Sequence, residues 1–288
     1  MPELAYLNGK ISAIEDAFVS IEDRGYQFGD AVYEVIPSHN GRMFKAEEHI
    51  KRMIYSLKEL KFPNVSKKYL YDELNLFFSK AKLKRAAVYI QISRGVYKRN
   101  HCLPNIDEAK IQFVMTIRDI LKKDAETAEK RKKGISVITV NDARWGRCDI
   151  KTVQLLANSL AKQTALDTGV NDAIFISDEG IVREASSANI FIVKDEAIFT
   201  HPETFNILGG VTRSEIISII KKKELTLTEN FYAAEKLMNA DEVFLTGSIT
   251  EVMPVVFVNG NKIGEGVPGK ITTLLYDSLL KRMINPID

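Results

Sequence analysis

The sequence predicts an α+β chain of two domains, and three observations carry that expectation. The chain has 288 residues, which at roughly 150 residues per domain suggests about two. Segments with the two-residue period of strands mix with segments of helical period, without the regular βαβ rhythm of a doubly wound sheet. Residues 118–134 (RDILKKDAETAEKRKKG) are charged, almost free of large apolar side chains and closed by glycine, the composition of a connector. The expected organisation is a small N-terminal domain over 1–119, a connector over 120–134 and a larger domain over 135–288.

The elements follow from periodicity. Residues 47–60 set Ile50, Met53, Ile54, Leu57 and Leu60 on one helical stripe, and a second helix is expected over 67–80. Residues 86–93 alternate Val88, Ile90 and Ile92 with Ala87, Tyr89 and Gln91, a strand pattern. A further strand is expected over 111–117. In the second half a strand over 135–140 precedes a helix over 152–168, with Val153, Leu156, Ala157, Leu160 and Ala161 on one side and Gly169 as its stop. Short strands over 172–176, 190–193 and 197–200 are separated by turn residues such as Asp178, Gly180 and Asp195. A helix over 212–222, strands over 242–245 and 255–258, and a helix over 272–283 complete the pattern. No internal repeat is found.

Composition narrows the function. Hydrophobic residues at 45% and charged residues at 27% describe a soluble globular chain. At this size it needs no disulfide or metal staple. Lys+Arg 40 against Asp+Glu 38 lacks the basic excess of a nucleic-acid binder, so the run Lys130 to Lys133 reads as a solvated connector. No apolar run reaches the roughly 18 residues of a membrane span, and the first ten residues lack a secretory pattern. The two cysteines, Cys102 and Cys148, have no zinc-like spacing. A reduced, cytoplasmic protein without a metal, a nucleic-acid partner or a membrane partner is expected.

Some motifs mislead. Gly264-Glu265-Gly266-Val267-Pro268-Gly269 spells GxGxxG, but a dinucleotide site needs a following strand with an acid about 20 residues on. Lys270 is followed by Ile271 where a P-loop needs a hydroxyl. Neither GxSxG nor HExxH occurs, so hydrolase chemistry has no motif here.

Two segments look like anion cups. In Gly209-Gly210-Val211-Thr212-Arg213-Ser214-Glu215, Thr212 and Glu215 have capping-box spacing ahead of an apolar run, and a helix start favours negative charge. Thr246-Gly247-Ser248-Ile249-Thr250 follows a strand as a second turn rich in hydroxyls and amides. Lys151 sits where an irregular stretch containing the only tryptophan feeds the expected helix of 152–168. An amine at a helix start feels the positive dipole end, which favours the free base that a Schiff-base lysine needs.

Several segments then fall into one pattern: Asp23-Arg24-Gly25-Tyr26-Gln27-Phe28-Gly29-Asp30 with Tyr33-Glu34; Arg94-Gly95 with Arg99-Asn100-His101; Arg147-Cys148-Asp149-Ile150-Lys151; Glu184-Ala185-Ser186-Ser187-Ala188-Asn189-Ile190-Phe191; and Gly209-Gly210-Val211-Thr212-Arg213. In this order, over nearly the whole chain, they resemble the fold-type IV pyridoxal-phosphate aminotransferases, most closely those acting on D-amino acids such as D-alanine. The resemblance implies a smaller N-terminal α/β domain and a larger, β-barrel-like C-terminal domain with helices. It implies pyridoxal 5′-phosphate as cofactor, and transfer of an amino group from a D-amino acid to a 2-oxo acid such as 2-oxoglutarate by a ping-pong route.

The roles are carried over residue by residue. Lys151 holds the cofactor as a Schiff base and then shuttles the proton, a task that needs one group to be nucleophile and base in turn. Glu184 faces the pyridinium nitrogen and keeps the ring an electron sink. Arg52 and the amides and hydroxyls of Val211, Thr212, Gly247 and Ser248 take the phosphate. At Gly247 a hydroxyl common in the family is missing, so only backbone can contribute there. Arg52 lies opposite the apolar stripe of its helix, so periodicity alone marks it as solvated. Tyr33, Arg99 and His101 hold the substrate carboxylate, with Arg99 and His101 reaching into the partner subunit, which implies a homodimer. Cys148 is read as packing. Pro37, Ser38 and His39, on the strand expected to face substrate, leave the side-chain preference open. Alternatives on the same fold are an L-branched-chain aminotransferase, an aminodeoxychorismate lyase and an (R)-amine transaminase. A non-catalytic phosphate-ligand-binding protein would need neither Lys151 nor Glu184.

Overall fold

The computed structural model describes residues 3–105 and 110–284. It divides into two compact units, Met1–Lys122 with Ile150–Gln154, and Lys123–Asp149 with Leu155–Asp288.

In the first unit a hairpin of β1 (Leu4–Leu7) and β2 (Lys10–Ala13) leads to α1 (Arg24–Phe28) and the long strand β3 (Ala31–His39). Then come β4 (Arg42–Met43), α2 (Ala46–Glu59), α3 (Lys67–Ala81), β5 (Ala86–Ser93) and β6 (Gln112–Asp119). The sheet runs β2-β1-β6-β5-β3-β4, antiparallel throughout. The alternation read in β5 holds: Val88, Ile90 and Ile92 are fully buried. They share a core with Ile50, Met53 and Leu57 of α2 and Leu70, Leu74 and Phe77 of α3. Local chemistry sets the helix ends. The Asp23 carboxylate accepts from the Gly25 amide at 2.7 Å to start α1, and the Ser66 hydroxyl accepts from the Tyr69 amide at 3.3 Å to start α3.

Pro37, Ser38 and His39 are buried at the end of β3. The Ser38 hydroxyl accepts from the Ala86 amide at 2.8 Å, and the Arg85 guanidinium lies 2.7 Å from His39 Nε2. Ser38 and His39 are thus held against the start of β5.

The charged stretch after β6 folds as α4 (Leu121–Lys133). The second unit continues with β7 (Ile135–Asn141), α5 (Leu156–Asp167), β8 (Asp172–Ile176), β9 (Val182–Ala185), β10 (Asn189–Lys194) and β11 (Ala197–Thr200). It ends with α6 (Val211–Lys222), β12 (Leu227–Glu229), α7 (Ala234–Met238), β13 (Glu242–Gly247), β14 (Glu251–Val258), β15 (Asn261–Lys262) and α8 (Lys270–Ile284). The sheet order is β12-β11-β10-β13-β14-β7-β8-β9, with β15 pairing β14. Its two ends curl toward each other: Ile181, ahead of β9, bridges Ala233, just past β12. That is the barrel-like curl expected of this half. Among the described residues no helix is long and apolar enough to cross a membrane.

Two helix readings change. The helix expected over 152–168 begins only at Leu156, and it buries Ala161 and Ala165 while leaving Leu156 and Leu160 exposed. Residues before it run extended along β3. The Tyr33 amide donates to the Lys151 carbonyl at 3.0 Å and the Val153 amide to the Ala31 carbonyl at 3.2 Å, with Val32 bridging Thr152. Backbone groups at the edge of β3 therefore capture this stretch before the helix can start.

Gly95 opens the loop that carries Arg99 and His101. Its φ is +97°, and a Cβ there would lie 1.9 Å from the Lys110 carbonyl oxygen. Gly95→Ala is expected to destabilise the protein by more than about 1 kcal/mol, read as a lowered urea midpoint. Gly146→Ala, where a Cβ meets nothing within 4 Å, serves as the near-neutral control.

Candidate active site

In the first unit β3 presents two chemistries on its two faces, because successive side chains alternate. Glu34 points to the helix side and is fully buried. Its carboxylate accepts from Arg52 Nε and Nη2, each at 2.7 Å, and lies 2.7 Å from His49 Nδ1. Burial opposes the charge on Glu34, but the Arg52 charge and hydrogen bonds overcome it and hold the carboxyl down at about 2. Burial pushes the buried His49 below the ordinary histidine range, so His49 is a neutral donor and Arg52 the balancing cation. Arg52 is thus mostly buried, with 12% of its side chain exposed, although the helical stripe alone would leave it in solvent.

Tyr33 points to the other face and stacks on Tyr89 with ring centroids 5.6 Å apart. The Lys151 ammonium nitrogen lies 4.2 Å from the Tyr33 ring centroid. The Lys151 backbone is held twice, by the Tyr33 amide and by donation of its own amide to Ser56 Oγ at 3.1 Å. The strand edge, rather than a helix start, presents Lys151, so the dipole argument does not apply: the field falls off within the first turn of α5.

Arg99 and His101 are exposed and both pack on Phe28: the Arg99 guanidinium lies 4.5 Å from that ring, and His101 meets it edge-on at 5.6 Å. Their loop is fixed from below by buried Arg24, which donates to the Asn100 carbonyl at 2.7 Å and to Asp30 at 2.8 Å. Their contacts run to Phe28, not to Lys151 or Tyr33.

In the second unit Glu184 lies on β9, 6% exposed. Arg144 Nη1 donates to it, as do Asn189 Nδ2 at 2.9 Å and the Leu208 amide at 3.2 Å. Arg144 is itself gripped by both oxygens of Asp142 at 2.8 Å and lies over the Phe175 ring at 4.3 Å. Cys148 donates its thiol to the Trp145 carbonyl at 3.2 Å, and burial pushes that thiol up to about 12, which fits its reading as packing.

Asn189 joins this carboxylate to both anion cups. It donates to the Leu208 carbonyl at 2.8 Å, and its Oδ1 would lie 2.1 Å from a Cβ on Gly210. In the ladder it pairs with Thr246. Gly210 is the N-cap of α6 and supplies no side-chain cap, so the capping box expected at Thr212 and Glu215 is not formed. The helix starts one residue earlier because only glycine fits against Asn189, and Glu215 bonds Arg282 instead. The first amides of α6, at Val211 and Thr212, consequently have no intrahelical acceptor. Beside them Gly247 and Ser248 lead into the β13–β14 turn, where the neighbouring Thr246 Oγ1 is buried without a hydrogen-bond partner.

These residues fit pyridoxal phosphate. A buried carboxylate aimed by Arg144 and Asn189 suits a protonated pyridine nitrogen, and uncapped helix amides with an orphaned hydroxyl suit a phosphate. Val211, Thr212, Gly247, Ser248 and Glu184 gather in the second unit; Lys151, Tyr33, Arg52, Arg99 and His101 belong to the first. Sequence reasoning missed Arg144, Asn189, Ser56 and the Glu34–His49 pair. Arg144 lies just outside the quoted Arg147–Lys151 segment and Asn189 inside a quoted one, while nothing in the spacing marks Ser56.

Comparison with known proteins agrees. Residues 31–258 match the family model described as amino-transferase class IV. The chain is 36% identical over 279 residues to the D-alanine aminotransferase of Bacillus licheniformis, covering 95% of this chain and 96% of that one. Its fold is similar to that of the branched-chain amino acid aminotransferase of Escherichia coli, with a TM-score of 0.90 at 24% identity, covering 100% and 97% of the two chains. The branched-chain amino acid aminotransferase of T.th., complexed with N-(5′-phosphopyridoxyl)-L-glutamate, gives 0.85 at 24% identity over 97% and 93%.

Glu34 supplies a pH test. Its folded value of about 2 lies below the ordinary 4.5. Its contribution is therefore fully present above pH 4.5 and is lost as pH falls through about 2. Glu34→Gln is expected to cost about 3 kcal/mol near pH 7, with the gap to the parent closing between pH 4.5 and 2 in urea titrations.

Proposed function

The chain belongs to the class IV aminotransferases, whose cofactor is pyridoxal 5′-phosphate, and on that premise we propose that it moves the amino group of a D-amino acid, D-alanine foremost, to a 2-oxo acid such as 2-oxoglutarate. The observation that carries the cofactor roles is the continuity, through Asn189, of the buried Glu184 carboxylate with the two amide-rich cups. The D-specificity is supported by the relative named D-alanine aminotransferase at 36% identity and by the paired Arg99 and His101.

When bound, pyridoxal phosphate supplies an aldehyde to receive the amino group and a protonated ring that withdraws the electron pair left at the substrate Cα. Lys151 would hold the cofactor through its amine and, as a free base, would carry a proton between the substrate Cα and the former aldehyde carbon of the cofactor. Glu184 would accept a hydrogen bond from the ring nitrogen and keep the proton there, its oxygens aimed by Arg144 and Asn189. Val211, Thr212, Gly247 and Ser248 would hold the phosphate through backbone amides and hydroxyls, and Arg52 would supply the cation. Tyr33 orients the substrate beside Lys151.

Arg99 and His101 bind the substrate carboxylate. They are exposed and make no contact with Lys151 in their own protomer, which supports a role across a homodimer. The two cysteines are unpaired, in keeping with a reducing compartment such as the cytoplasm.

The purified protein is expected to be yellow, and borohydride to fix the cofactor on Lys151. Lys151→Ala should retain the fold and lose turnover by at least about 10³-fold. Half-reactions followed by absorbance should run faster with D-alanine than with L-leucine or (R)-1-phenylethylamine. A faster response to L-leucine would replace this reading with a branched-chain aminotransferase.

A further inference from the structure

The connector helix α4 looks from its sequence like a solvated charged run, yet one member of that run is turned inward. The Arg131 side chain is only 11% exposed, whereas Lys132 beside it is 74% exposed. Its contacts go to the β13–β14 turn and to α8. Nε donates to the Val252 carbonyl at 2.9 Å, and Nη2 donates to the Thr250 carbonyl at 3.1 Å and to Glu251 Oε2 at 3.0 Å. Nη1 donates to the Tyr276 hydroxyl at 3.1 Å, and the guanidinium lies 4.1 Å from the Tyr276 ring centroid.

Three consecutive residues of the turn are thus held by one planar fork. The middle one, Glu251, is buried and has a φ of +59°. A side-chain-bearing residue adopts that left-handed conformation at a cost of about 1–2 kcal/mol, and it persists only where surrounding contacts over-determine it. Glu251 pairs in the ladder with Gly247, and Val252 with Thr246. The backbone that Arg131 grips is therefore the partner strand of the residues that form the second cup.

We propose that Arg131 is a positioning residue for the phosphate subsite: it fixes the turn that aims Gly247, Ser248 and the unpartnered Thr246 hydroxyl, and touches no ligand itself. The proposal deepens the preceding reading and rests on its assignment of this turn to the cofactor phosphate. Lysine cannot replace the fork, since a point charge reaches Glu251 but not both carbonyls at once.

The test compares two ligands differing only in the phosphate. Full-length parent, Arg131→Lys and Arg131→Ala proteins, freed of cofactor, are titrated with pyridoxal 5′-phosphate and with pyridoxal, following absorbance. In the parent the phosphate should tighten binding strongly. In Arg131→Ala the affinity for pyridoxal 5′-phosphate should fall about tenfold or more while that for pyridoxal stays within about twofold, and Arg131→Lys should fall between. A role confined to general stability would weaken both ligands together, and that result would overturn the proposal. An unchanged preference in both variants would overturn it as well. A parent that did not distinguish the two ligands would instead remove the phosphate cup itself, and the proposal with it.

Discussion

Glu184 is a carboxylate largely shielded from water, and the second unit is arranged around that fact. An unpaired buried carboxylate is costly enough that it would sooner take up a proton. Here Arg144, Asn189 and the Leu208 amide stabilise the charge, and Asp142 in turn orients Arg144. The same Asn189 that steadies the carboxylate also demands glycine at position 210, so one side chain sets both the acid and the start of α6.

The first unit solves a matching problem with opposite charge. The position of Lys151 is set through its backbone, by the edge of β3 and by Ser56. The alternation of β3 then separates two tasks across a single peptide step: Tyr33 lies beside the amine, and Glu34 is sunk among α2 side chains. Glu34 keeps Arg52 in a fixed pose, which a flexible surface arginine would lack.

Much of this was legible in the sequence. The stripe of α2, the alternation of β5 and the positions of strands such as β7, β8 and β13 follow from short-range spacing, and the structure reproduces them, while the order of strands in each sheet was not legible. Spacing failed where a residue's partner is distant in sequence. The start of α5 was placed too early because the competing ladder comes from β3, more than a hundred residues away. The capping box at Thr212 failed because Asn189, on another strand, decides who stands at the N-cap. Arg52 was read as solvated because helical periodicity knows the apolar stripe but not which polar group waits opposite, and Arg131 because its charged segment looked like a connector.

What the sequence alone determined is the set of chemical groups: one lysine, the acid at 184, glycine-rich turns and the arginine–histidine pair, in an order that admits one family. Tertiary structure decided how each group is held. Those decisions rest on hydrogen bonds and buried charges between residues far apart along the chain, and their strength depends on desolvation, which no local pattern encodes. The identity of the chemistry is written in residue types; its orientation is set only when the folded chain removes those residues from water and leaves each polar atom one partner to find.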